Sequence, residues 1–153
     1  MRLSHLPLRL TTGAFILNSG LSKRGLPAEA AEGLHGMASG AVPQVKGMQP
    51  QNFVKTLSAA EIALGAALLM PWVSPVVAGA GLTAFGAGLV QLYLKTPGLR
   101  EEGKLTPTQD GIGIAKDVWL VGAGATLLYD GLLDGTKSAA KSAGKSVKSA
   151  VSR

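Results

Sequence analysis

An all-α, polytopic membrane protein built as a four-transmembrane-helix bundle is the fold this sequence predicts, on three observations. Ile62 to Leu94 is a run of 33 residues without one charged side chain. Charged residues make up only 16% of the 153-residue chain against 46% hydrophobic ones, and mean hydropathy is +0.28 despite a tail of Lys, Ser and Ala. Further apolar stretches end near Leu21 and begin near Gly111. This profile argues against both disorder and an ordinary soluble enzyme.

The charge-free run is too long for one soluble core helix. A bilayer core of ~30 Å takes about 20 helical residues, so the run holds most of one span and all of another, provided the chain turns within it. Pro71-Trp72-Val73-Ser74-Pro75 supplies the turn, because prolines break helix continuation and the Trp72 ring suits the headgroup level. The second predicted span therefore covers 53–70 and the third 73–94. The fourth, 111–133, carries Lys116 and Asp117 near its start. The first, 6–21, is short and carries Arg9 and Asn18. Its apolar core from Leu10 to Leu17 follows Arg2 and Arg9 as in a secretory signal peptide, yet no Ala-x-Ala-like cleavage site follows.

Two polar segments, 22–52 and 95–110, face the side opposite the termini. Within the first, Pro27-Ala28-Glu29 reads as a helix start, so a short surface helix to about Ser39 is expected. The basic tail, 135–153, repeats a Lys-Ser unit. Lys137, Lys141, Lys145 and Lys148 align on one face of a helix, with too little apolar area opposite for firm insertion. They are expected to touch a membrane surface electrostatically, at about 1 kcal/mol per Lys. The positive-inside rule places this tail, and both termini, in the cytoplasm.

The net charge is +6, but the aromatics sit in apolar stretches rather than between cations, so membrane lipids and not nucleic acid are the expected partners. With no Cys there is no thiolate, disulfide or Cys-ligated centre. His5 and His35 read as surface residues without metal-ligand spacing, and no nucleotide-binding or hydrolase motif is present. No metal site, no catalytic residue and no resident cofactor are expected. The remaining chemistry lies in the intramembrane polar residues. Alternating span direction puts Asn18, Lys55, Glu61, Gln91, Lys116 and Asp117 in one half of the membrane. A lone carboxylate there costs about 2.5 to 3.5 kcal/mol, so Glu61 needs a partner. Lys116 is the expected one, with Asn18 or Gln91 as hydrogen-bond donors and Asp117 facing Lys55 or water. That constellation is either a polar clamp between helices or a pocket for a quinone or lipid. Arg9 is expected to pair with Asp130 or Asp134. Small residues in i, i+4 register (Ala59, Ala63 and Ala67; Ala80, Ala84 and Gly88) are expected to pack the spans together within the chain.

Three segments together resemble the DoxX family of small four-helix bacterial membrane proteins. They are Leu8-Arg9-Leu10 through Gly20-Leu21-Ser22-Lys23, Ala60-Glu61-Ile62-Ala63-Leu64-Gly65, and Ala115-Lys116-Asp117-Val118-Trp119-Leu120. The resemblance covers roughly residues 6 to 133, while the long first connection and the basic tail depart from the family pattern. It implies a multi-pass inner-membrane protein, in some members tied to respiratory or thiosulfate-quinone oxidoreductase assemblies. Two functions follow: an accessory subunit of a larger membrane redox or envelope complex, not catalytic on its own, or a protein that binds a quinone or lipid at the Glu61/Lys116 site.

Overall fold

The computed structural model describes residues 3–151, except for the side chains of 138, 139 and 142–151. Among the described residues every regular element is helical, and the only strand-like feature is an isolated bridge between Arg100 and Pro107. In chain order the helices are α1 (Leu6–Ser22), α2 (Ala28–Ala41), α3 (Pro50–Leu69), α4 (Pro75–Lys95), α5 (Ile112–Ala115) and α6 (Val118–Val151). Three stretches are long and apolar enough to cross a membrane: α3, α4 and Ile112–Lys137, which joins α5 to the first part of α6. With 17 residues, α1 is about 25 Å long at 1.5 Å per residue, just under a bilayer core.

The starts of α3 and α4 differ from the expected ones for a common reason. Pro50 and Pro75 each open their helix at a position where the missing N–H costs nothing. Ser74 then caps α4, its Oγ accepting a hydrogen bond from the Val77 amide at 3.2 Å. The surface helix expected up to Ser39 forms as α2, with Glu29 in its first turn. The fourth predicted span divides instead: α5 ends at Ala115, Lys116 and Asp117 occupy a turn, and α6 begins at Val118. From there α6 runs 34 residues into the basic tail without a break at 134, as Ala and Lys are strong helix formers.

The helices associate as two antiparallel pairs, α1 with α3 and α4 with α6. Glycines set both seams. A Cβ on Gly65 would lie 2.6 Å from the Leu17 amide nitrogen, and one on Gly20 would lie 2.8 Å from that of Ile62. On the second pair, a Cβ on Gly86 would lie 2.8 Å from the Val121 nitrogen, while Gly79 and Gly124 rest against the backbones of Leu128 and Thr83. Such close backbone approach gains dispersion contacts along the length of each seam. The alanine registers expected to do this work do not. Ala59, Ala63, Ala80, Ala84 and Gly88 are exposed and Ala67 is half-buried, because helix rotation turns the glycine faces inward. Between the pairs lies a core of Ile16, Leu68, Ala78, Leu82, Leu120 and Leu127.

The connection from α4 to α5 folds back on itself. Thr108 donates its amide to the Leu99 carbonyl at 3.0 Å, and the Tyr93 hydroxyl donates to the Leu105 carbonyl at 2.6 Å. Gly98, at φ +85°, makes the turn that this requires.

Candidate functional site

The deepest polar cluster lies in the α1–α3 seam. Glu61 is 4% exposed, and its Oε2 accepts a hydrogen bond from Lys23 Nζ at 2.8 Å. The same ammonium donates to Ser19 Oγ at 2.7 Å and to the Ser19 carbonyl at 3.2 Å, so its donors converge on one turn of α1 and one carboxylate. One turn earlier on α3, the buried Ser58 hydroxyl donates to the Gly20 carbonyl at 2.7 Å. The geometry neutralises a carboxylate internally rather than presenting it.

Lys23, and not Lys116, is therefore the partner of Glu61. Lys116 is exposed, in the turn that precedes α6. The expected grouping separates further at the other positions. Asn18 is exposed on α1, and Lys55 is exposed on α3. Gln91 is half-buried on α4, where its side-chain amide donates to the Ala41 carbonyl at 2.8 Å and ties down the end of α2. Only Lys116 and Asp117, adjacent in the turn before α6, share one site. The Gly20-x-x-Lys23 ending quoted above carried the signal for the real pair: Gly20 lets α3 approach, and Lys23, four residues after Ser19, faces the same seam.

Arg9 differs most from expectation. It is 1% exposed and has no carboxylate partner among the described residues. Its guanidinium instead donates to the carbonyls of Leu68 (2.7 Å), Ala67 (2.8 Å), Met70 (2.8 Å) and Val73 (3.0 Å). The final carbonyls of a helix lack intrahelical donors and carry the negative end of its dipole, so a planar cation caps α3 and pins its link to α4. Asp130 is taken by His5, whose Nε2 lies 3.1 Å from Oδ2. His5 is buried rather than on the surface. The half-buried His35 is likewise engaged, with Nε2 2.9 Å from the Val45 carbonyl and its ring edge-on to Phe53.

Two recesses border these clusters. One, of about 290 Å³, gathers Lys23, Arg24 and Lys55 beside Gln51 at the Lys23 end of the α1–α3 seam. The larger, about 490 Å³, is a groove between α1 and α6. Leu8 and Phe15 wall it on α1, Trp119 and Leu120 on α6, and Lys116 with Asp117 closes one end. Thr11 and Thr12 also line it, but their hydroxyls donate back to the Pro7 and Leu8 carbonyls at 2.8 and 2.7 Å, leaving an apolar surface. In the tail, Lys137 and Lys141 are exposed, while the side chains of Lys145 and Lys148 lie outside the described residues. No group of three or more potential metal-binding side chains occurs among the described residues.

Comparison with protein-family models, with curated proteins and with solved structures finds no match to this chain.

Proposed function

We propose that the chain is a DoxX-like integral membrane protein with four crossing helices, acting as an accessory subunit of a larger membrane redox or envelope complex. The outward-facing small residues carry this reading. Ala59 and Ala63 on α3, and Ala80, Ala84 and Gly88 on α4, are exposed and take no part in the internal seams, so two close-approach faces stay free for helices of another chain. The buried ionic groups support it too, since Glu61 and Arg9 are consumed in holding helices together. A fourth crossing is supported by α1 lying antiparallel along α3, with Gly13 against Leu68 and Gly20 against Ile62.

The cytoplasmic assignment of both termini rests on the tail cations, with Lys137 exposed at the end of the span and Lys141 exposed one turn beyond it. The experiment is native mass spectrometry of the full chain, extracted in mild detergent from its own membrane. Stoichiometric protein companions that are lost on Ala63→Leu or Ala84→Leu support the subunit reading; recovery of the chain with lipid alone sinks it. A second reading, a protein that binds a quinone or lipid, rests on the α1–α6 groove and no longer on Glu61.

A further inference from the structure

We propose that the groove between α1 and α6 is a binding site for one phospholipid with a zwitterionic, primary-amine headgroup of the phosphoethanolamine type, its phosphate on Lys116 and its ammonium on Asp117. The position of the two charges comes first. They form the turn between α5 and α6, directly before the uncharged run 118–129 that opens α6. A charged pair at the head of an apolar span falls where headgroups meet acyl chains. Lys116 and Asp117 line the same groove and interact with each other through their charges, with no side-chain hydrogen bond to a described residue. Two opposite charges side by side at the end of an apolar channel match a ligand that carries both signs a few ångströms apart.

The walls match the rest of such a molecule. Phe15 and Trp119 are exposed at 58% and 73%, so the groove is open to whatever surrounds the helices, which for spans of this kind is lipid. Hydroxyls of Thr11 and Thr12 are occupied within α1, and no polar wall group competes with an acyl chain. The headgroup preference follows from chemistry. A choline headgroup has no N–H to give Asp117, and a glycerol headgroup offers it no cation, whereas a primary ammonium forms a charge-assisted hydrogen bond.

The chain contains two Trp, and only Trp119 lines the groove, so Trp72→Phe makes it the sole reporter. The full-length Trp72→Phe chain is reconstituted in phosphatidylcholine vesicles. A minor fraction of dibrominated phosphatidylethanolamine, phosphatidylglycerol or phosphatidylcholine is then added as a contact quencher. Brominated phosphatidylethanolamine is expected to quench with a relative binding constant about tenfold above the choline lipid, ~1.4 kcal/mol. Asp117→Asn should remove its advantage over the choline lipid, and Lys116→Ala, at a phosphate that all three lipids share, should weaken the net-anionic glycerol lipid relative to choline while leaving ethanolamine ahead of choline. Ala123→Leu, which fills the groove without touching a charge, should abolish all selectivity while leaving helix content unchanged. Equal quenching by the three lipids, or preference for the glycerol lipid in the Trp72→Phe chain, overturns the proposal. Neither outcome bears on whether the chain has protein partners.

Discussion

Lys23 and Glu61 belong to opposite members of the α1–α3 pair and meet at 2.8 Å, with side-chain exposures of 17% and 5%. Breaking such a pair strands the remaining charge, whereas replacing both partners with apolar groups removes the desolvation cost along with the attraction. Lys23→Met is expected to destabilise by about 3 kcal/mol, and the double variant Lys23→Met/Glu61→Met to recover most of it. Thermal unfolding of the four members of the cycle in one detergent measures the coupling. Single and double variants that lose equally would mean that the carboxylate is not compensated by Lys23.

The α1–α3 and α4–α6 seams make a second expectation. Gly65→Ala places a methyl 2.6 Å from the Leu17 nitrogen, where only movement of a whole helix relieves it, and should cost on the order of 2 kcal/mol. At Gly88 and Gly122 an added Cβ meets nothing within 4 Å, so Ala there should be neutral or stabilise by about 0.5 to 1 kcal/mol through helix propensity. The contrast separates packing from propensity. Equal effects at Gly65 and Gly88 would contradict the seam.

Arg9 and its four carbonyls give a third. Arg9→Lys keeps the charge but loses the planar fork that reaches Ala67, Leu68, Met70 and Val73 together. A loss of about 2 kcal/mol or more is expected, and Arg9→Met should be worse, since buried acceptors without donors cost about 1 to 3 kcal/mol each. Hydrogen exchange should localise the damage to amides of residues 66–78. If Arg9→Lys matched the unmodified chain in stability and exchange, Arg9 would not be the cap of α3.

The helices were legible in the sequence because apolar length, proline breaks and charge position act locally. The expected ranges 6–21, 53–70 and 73–94 lie within a few residues of α1, α3 and α4. Pairing was not legible, because it depends on rotation of each helix about its axis. The expected spans put Glu61 and Lys116 in the same half of a membrane, yet the rotation that buries Gly20 and Gly65 turns Glu61 toward α1 and Lys23. The same rotation exposes Ala59 and Ala63. Arg9 was misassigned for a different reason: side-chain charges are visible in a sequence, but the carbonyl dipole at the end of α3 is not. The break at Lys116–Asp117 carries no Gly or Pro at the break itself to announce it.

Crossing number and orientation can be checked together, because the chain has no Cys and any introduced one is unique. Ser4 lies beside the end of α1 that Arg9 ties to the α3–α4 link, so Ser4 and Ser74 fall at one end of the bundle. Lys46 and Glu102 fall at the other, in the connections before α3 and after α4. With four crossings and the termini inside, Lys46→Cys and Glu102→Cys should react with an impermeant maleimide in intact cells. Ser4→Cys and Ser74→Cys should react only after permeabilisation. Three crossings, with α1 lying outside the bilayer, would label Ser4→Cys and Lys46→Cys from the same side. A complete reversal would keep the bundle intact but place the tail cations outside, against the positive-inside bias that Lys137 and Lys141 contribute.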